Sequence, residues 1–396
     1  MSATTPATRG SWLRDIAPSS VAAGFVTVLV GFTSSAVIVF QAAQALGASE
    51  AETASWLWAL GIGMGVTGIG LSLRWRIPVV TAWSTPGAAM LVASNAGVPL
   101  SDAIGAFVLT AAMTAVAGFS GLFERGMRRV PLALASGLLG GVLLRFGMDV
   151  FVSMRTQMAM TLAMFVVYLC GRRWFPRYAV LATLLLGMSI AGASGLLHLG
   201  DVELRVARPV FTMPSLSLAA IFGIALPLFV VTMASQNIPG IAVARASGYE
   251  PPVSSTIGWI GTTNILLAPF GAYSLCMAAI TAAICSGREA HPDPSKRYVA
   301  SVFAGIFYLF TGVFGATVAA LFAAFPKELV LAVAGLALFG TIGNSLSVAL
   351  REDRDREAPL ITFLVTASGF SFGGIGSAFW GLIAGGIALL LRPRVR

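Results

Sequence analysis

An all-α polytopic membrane protein, with about fourteen transmembrane segments in two inverted seven-segment repeats, is the fold that this chain predicts. Three observations predict it. The first is composition. Of 396 residues, 57% are hydrophobic and only 10% are charged; the mean hydropathy is +0.86. An ordinary soluble domain is roughly 45–50% apolar and about 25% charged. A soluble chain of this length could not hide so much apolar surface, and disorder requires the opposite balance. The second observation is a series of apolar runs parted by short basic loops. The third is a set of short matches that keep their order between the two halves.

The elements follow in chain order. Residues 1–17 form a polar cytoplasmic segment carrying Arg9 and Arg14. It resembles a signal n-region, but the apolar run Ile16 to Leu46 is far longer than an h-region of about 7–15 residues, so it reads as a retained first helix. The segments are 18–46, 53–73, 84–97, 102–124, 130–150, 153–171, 178–199, 215–239, 254–267, 273–286, 297–324, 328–349, 358–372 and 374–391. Several are shorter than the roughly 20 residues a spanning helix needs, notably 84–97, 254–267 and 273–286. With the N-terminus inside, 20 of the 25 Lys and Arg fall on the inner side, four outside, and Arg145 within a helix. That asymmetry sets both termini in the cytoplasm, and it explains the net charge of +9 without nucleic acid.

The internal matches are Gly47 with Gly248, Trp58–Gly61 with Trp259–Gly261, Pro86-Gly87-Ala88 with Pro269–Ala272, and Pro131–Gly140 with Pro326–Gly335. Seven segments per half is an odd number, so the second half is inverted relative to the first.

Two segments are expected to be broken. In Ile77 to Met90, Pro78 and the β-branched Val79, Val80 and Thr81 favour an extended strand. Pro86 suits the first turn of a helix, with Ser84 or Thr85 as N-cap. The second half repeats the design with Leu266 to Ser274, then a short helix to Ser286. Two helix N-termini would then face one another at mid-membrane, each with free N–H groups and about half a positive charge, which suits an anion. Irregular backbone at that depth is tolerated only against protein or a wet cavity.

Gln236 and Asn237 sit deep in the eighth segment, where amides serve either as substrate contacts or as helix–helix glue. The matching place in the first helix, Thr33-Ser34-Ser35, is also polar, though its hydroxyls could bond back to their own helix. Arg145 and Asp149 are four apart on one helix face and can pair; Glu124 lies at an inner boundary. Cys170, Cys276 and Cys285 read as small buried hydrophobes. No nucleophile–base pair, metal spacing or cofactor motif is visible, so an enzyme is not expected.

The strings Pro78-Val-Val-Thr-Ala-Trp-Ser-Thr-Pro-Gly-Ala88, Ser235-Gln-Asn-Ile-Pro-Gly240 and Leu143-Leu-Arg-Phe-Gly147 resemble the benzoate/proton symporter family of the BenE type, over nearly the whole chain. The resemblance implies a bacterial inner-membrane carrier that takes up benzoate with protons. It further implies kinship with nucleobase–ascorbate and anion-exchanger transporters, whose inverted repeats form a core domain and a gate domain. By that analogy the core domain is 18–129 and 215–325, and the gate domain is 130–200 and 326–396, with an outer loop at 201–214. A homodimer is a candidate assembly. The nucleobase relatives place acidic residues on the eighth and tenth helices; here the corresponding places hold Gln236 or Asn237 and Tyr273. A carboxylate there would repel an anionic substrate, so the departure supports an aromatic acid. It also removes the obvious proton carrier and leaves Asp149, Arg145 and Glu124 as coupling candidates.

The expected carboxylate site is therefore Ser84, Thr85, Pro86 and Gly87 on one side and Phe270, Gly271, Ala272, Tyr273 and Ser274 on the other. Ser34, Gln236 and Asn237 would donate hydrogen bonds, and Trp83, Phe270 or Tyr273 would pack on the ring. A nucleobase or inorganic-anion carrier, an exchanger or a channel on the same fold is the alternative.

Overall fold

The structure, a computed structural model, describes residues 12–93, 98–127, 130–175, 178–197, 206–315, 317, 325–351, 356–370, 372 and 377–391. It is dominated by helices. The first half contains α1 (Pro18–Ala45), α2 (Glu50–Trp75), a short strand β1 (Thr81–Trp83), α3 (Thr85–Ala93), α4 (Leu100–Phe119), α5 (Leu122–Met127), α6 (Leu132–Ser153), α7 (Met158–Trp174) and α8 (Ala179–Ala193). The second contains α9 (Leu218–Ala246), α10 (Val253–Leu267), β2 (Leu275–Met277), α11 (Ile280–Ser286), α12 (Tyr298–Val313), α13 (Lys327–Ala349), α14 (Glu357–Ala367) and α15 (Ser377–Leu390). Among the described residues, five helices are long and apolar enough by themselves to cross a bilayer: α2, α4, α6, α9 and α13.

Local chemistry sets the ends. Pro18 occupies the first turn of α1, where its missing N–H costs nothing. Ser49 and Glu52 form a reciprocal capping box on α2, at 2.8 Å and 3.3 Å. Gly47 and Gly248 follow α1 and α9 at φ 75° and 88°, the left-handed turn that ends a helix. Within α9, Pro227 and Pro239 each lack an N–H for the helical ladder. Nearby, Ile221–Ala225 and Met233–Asn237 widen into single π-turns. Such turns recur at functional sites.

β1 and β2 pair antiparallel, with Thr81 opposite Met277, Ala82 opposite Cys276 and Trp83 opposite Leu275. Hydrogen bonds from Ala278 N to Val80 O (2.9 Å) and from Ser84 N to Ser274 O (3.1 Å) extend the ladder at both ends. Each strand leads into a short helix, α3 or α11. The second short helix starts at Ile280, not at Tyr273–Ser274 as the sequence suggests. Pro269 does not open it; it lies in a 3-10 turn, Ala268–Phe270, that continues α10, and Gly271 then turns the chain at φ 99°. The match of Pro86 with Pro269 was therefore out of register. The first residues of the two strands, Thr81 and Leu275, are 194 apart, close to the interval between Pro131 and Pro326.

Helix packing falls largely into two sets. α2 lies along α12, α4 along α10, and α1 against α12, α3 and α11. In the other set α6 packs on α13 and α14, α7 on α8, and α14 on α15. The sets meet where α6 and α15 touch α9 and where α1 touches α13. Gly61 and Gly312 let α2 and α12 close to backbone contact: a Cβ on Gly61 would lie 2.5 Å from the Gly312 Cα. Residues 206–215 form a strap rather than a free loop. Ala207 N bonds to Val313 O (2.8 Å), Val210 N to Ser55 Oγ (2.9 Å), Thr212 N to Pro269 O (2.9 Å) and Ser215 N to Ser101 O (3.0 Å). Residues 201–205 lie outside the described residues.

Candidate functional site

A cavity of about 240 Å³ lies where the two strand–helix units meet α9, at the seam between the helix sets. Its polar side is built from short-range chemistry. Ser84 is the N-cap of α3: its Oγ accepts from Gly87 N at 3.1 Å. The same oxygen accepts from Thr232 Oγ1 at 2.9 Å, so both Ser84 lone pairs are occupied. Thr85 and Pro86, in the first turn of α3, line the cavity. Pro86 has no N–H, which leaves the Thr85 hydroxyl and backbone N–H as the donors at this helix end. Ala278, Ala279, Ile280 and Thr281 line the opposite wall at the start of α11, whose N-cap Ala279 offers no side-chain cap.

The π-turn separates the two adjacent amides. Gln236 faces the cavity, and no hydrogen bond to the described residues engages its side chain. Asn237 turns away and is wholly buried. Its Oδ1 accepts from Met277 N at 2.9 Å and its Nδ2 approaches Met233 Sδ at 3.1 Å. It braces β2 instead of the cavity. Trp83 lines the cavity with an indole held on two sides: Nε1 donates to Ser35 Oγ at 2.9 Å, and Phe32 meets the ring edge-on at 5.8 Å. Ser35 in turn donates to Gly31 O at 2.8 Å. The side chain of Ser34 lies outside the described residues.

Phe270, Gly271, Ala272, Tyr273 and Ser274 do not line this cavity. Phe270 packs between Trp58 and Phe211, each at 5.7 Å. Gly271 and Ala272 are buried in the turn before β2. Tyr273 is wholly buried against Trp56 and Phe107, and Ser274 Oγ sits 3.0 Å from Thr232 Oγ1. The cause is the register difference: the residues equivalent to Ser84–Pro86 are Ala278–Ile280. Arg145 is exposed and Asp149 half-buried, and among the described residues no ion pair joins them. They share a face of α6 with Met148 and Val152, both about half exposed, so the face points outward. Glu124 also lies apart from the cavity. Its carboxylate accepts from Ser254 N at 3.1 Å and from Ser254 Oγ, capping α10.

The cavity holds lining residues that sequence reasoning missed. Ser35, Phe146, Tyr308, Ser377 and the start of α11 all contribute. Phe146 stood within a quoted string, and the start of α11 follows from the strand register. Tyr308 and Ser377 carried no signal, because their helices read as plain apolar runs. Among the described lining residues none is acidic or basic. Charge complementarity must therefore come from helix ends, the Gln236 amide and the Thr85 hydroxyl. Trp83, Phe146 and Tyr308 supply aromatic walls. Such a site suits a small anion with a flat apolar body. Among the described residues no group of His, Cys, Asp or Glu is placed to hold a metal ion.

Comparison with known proteins gives the following. The family described as "Benzoate membrane transport protein" matches residues 14–391. "Inner membrane protein YdcO" of Escherichia coli (strain K12) is 48% identical over 379 residues, covering 96% of this chain and 97% of the relative. "Benzoate membrane transport protein" of Acinetobacter baylyi is 38% identical over 383 residues, with 96% and 97% covered. Among solved structures, the overall structure of SLC26A9 overlaps 96% of this chain and 66% of that one, at 12% identity and TM-score 0.49. The transmembrane domain of a cyanobacterium bicarbonate transporter, BicA, overlaps 93% and 96%, at 14% identity and TM-score 0.44.

Proposed function

The chain belongs to the benzoate membrane transport protein family, a family of membrane transporters and not of enzymes, and from that membership we propose that it imports benzoate or a close aromatic carboxylate together with protons, by alternating access. The observation that carries the reading is the seam cavity: helix starts, the Gln236 amide and the Thr85 hydroxyl share it with three aromatic rings, with no charged side chain among the described lining residues. The carboxylate lies by the Thr85 end of α3 and accepts from Thr85 and Gln236. The ring lies against Trp83, with Phe146 and Tyr308 on the far walls. A neutral nucleobase would gain less than an anion from two helix N-termini.

The two helix sets are the core and gate domains in this reading: 18–129 with 215–325, against 130–200 with 326–396. The cavity opens to one side or the other as the core shifts against the gate, in an elevator-like or rocking movement. The protein lies in a bacterial inner membrane with both termini in the cytoplasm, as the basic inner loops favour.

The test is uptake of labelled benzoate into proteoliposomes under an imposed pH gradient, with nucleobases and other aromatic acids as competitors. Accumulation that follows the gradient and yields only to aromatic acids supports the reading. Nucleobase uptake without benzoate uptake overturns it.

A further inference from the structure

The seam between the helix sets is crossed a second time, away from the cavity. Arg172 in the last turn of α7 donates to Glu289, three residues beyond the end of α11, at 2.7 Å. The two partners stand in unlike surroundings. The Glu289 residue is 9% exposed, and its other oxygen, Oε2, is buried with no hydrogen-bond partner. The Arg172 side chain is 46% exposed, and its guanidinium rests over the Tyr168 ring at 5.9 Å. α13 presses on the carboxylate at Gly340, where a Cβ would stand 2.7 Å from Oε1. Beside the pair is a cavity of about 590 Å³.

The charged and titratable groups around Glu289 are few. α7 brings Arg172 and Tyr168. Its own loop brings Arg288 and Arg297, which share the cavity, and His291 two residues on. Arg297 is committed to the carbonyls of His291 (2.8 Å) and Ser286 (2.9 Å), which fasten the loop to the end of α11. A small cavity beside Glu289 is lined from α1, α8 and α13 by Ser19, Ala22, Ala23, Val180, Leu181 and Ala337, and α13 brings Gly340 to the carboxylate; none of these is titratable. Burial pushes the Glu289 carboxyl above the ordinary carboxylate range, with Arg172 and Arg297 drawing it back.

Any displacement of α11 against α7 must break this pair. Breaking it with Glu289 ionised strands a buried charge. If a proton has first been added to the carboxylate, the buried partner is neutral, and Arg172 is exposed enough to be hydrated. α11 starts at the seam cavity and ends three residues before Glu289, a span of about 10 Å for its seven helical residues. We propose that the Glu289–Arg172 pair is a proton-released latch between the two helix sets, closed when Glu289 is ionised and open when it is protonated. The inference rests on the carrier reading above for the movement that the latch restrains.

Two measurements test it. The first is benzoate counterflow in proteoliposomes with equal pH on both sides, empty vesicles correcting for benzoic acid that crosses the lipid. Wild-type exchange should accelerate as pH falls from about 8 to about 6, by at most about tenfold per pH unit for one titrating site. Glu289→Gln should exchange at the fast rate throughout. Arg172→Gln removes the other half of the latch, so it too should exchange at the fast rate with little dependence on pH. The second needs no substrate: labelling of Arg288→Cys by an impermeant maleimide, in the wild-type background and with Glu289→Gln. The wild-type to Glu289→Gln labelling ratio should rise as pH falls. A Glu289→Gln profile that keeps the wild-type pH dependence, or a labelling ratio flat with pH, overturns the latch. If Glu289→Gln does not reach the membrane, an Arg172→Gln profile that keeps the wild-type pH dependence overturns it instead. Failure of wild-type counterflow at every pH counts against the carrier reading, and the labelling ratio then decides the latch alone.

Discussion

The Tyr273 hydroxyl donates to the backbone carbonyl of Ser84 at 3.0 Å, so that a residue just before one strand of the seam ties down the residue just after the other. The phenol ring is wholly buried, 6.0 Å from Trp56 and 6.2 Å from Phe107. Ser84 is the cap of α3, so Tyr273 acts on the cavity through the strand crossing and not by contact. Its role is positional.

Tyr273→Phe should therefore cost stability while sparing affinity. Loss of one buried hydrogen bond is worth about 1 kcal/mol, and the Ser84 carbonyl keeps the Ala88 N–H at 2.9 Å. The expected result is a lower melting temperature in detergent with an unchanged KM for benzoate. A large rise in KM at unchanged melting temperature would instead mean that the hydroxyl reaches the substrate.

Gln236 gives the sharpest test of the cargo's charge. Gln236→Ala removes a neutral donor to a carboxylate, a contact worth about 1.5–3 kcal/mol, so KM should rise by about tenfold or more. Gln236→Glu keeps the shape and adds a negative charge. At neutral pH it should abolish benzoate uptake by like-charge repulsion, and acidification should restore part of it as the new carboxyl protonates. Unimpaired benzoate uptake by Gln236→Glu would remove the amide from the site.

Asn237, the next residue, should behave in the opposite way. Its Oδ1 is the acceptor for the buried Met277 N–H. Asn237→Ala strands that donor at a cost of about 1–3 kcal/mol. The expected readout is a lower melting temperature, with activity lost in proportion to folded protein rather than through KM.

The contrast between these two amides marks how far the sequence could be read. The stretch Pro78 to Pro86 announced a strand and a capped helix in its own residues, and Thr81–Trp83 and Thr85–Ala93 are found there. The apolar runs located most of the helices within a few residues. The second strand carried a weaker signal. Leu275-Cys276-Met277 has no β-branched residue, and Pro269 imitated the helix start that Pro86 supplies. Antiparallel pairing with Thr81–Trp83 is a long-range fact that fixes the register from outside the segment. The direction of Gln236 and Asn237 was hidden for a similar reason, since a π-turn rotates side chains away from the ordinary helical face. Arg172 and Glu289 are 117 residues apart, just beyond the apolar segments 153–171 and 273–286, so nothing local could join them.

A close backbone approach within the first helix set makes the last prediction. A Cβ on Gly61 would meet the Gly312 Cα at 2.5 Å, the Gly312 N at 2.6 Å and the Tyr308 carbonyl at 2.8 Å. All three are backbone atoms, so no side chain can swing aside. Gly61→Val would force α2 from α12 along the whole contact, and overpacking of this kind costs about 1–3 kcal/mol or more. Within lipid, close contact between small residues is itself a large part of what holds helices together. Tyr308 lines the cavity from α12, so the displacement should also reach the site. The expected outcome is a melting temperature several degrees lower, with reduced benzoate uptake per folded molecule. Gly70 is the control: it lies on the same helix with nothing within 4 Å of its would-be Cβ. Gly70→Val should leave both quantities near wild type, and equal behaviour of the two variants would mean that the α2–α12 contact does not set the fold.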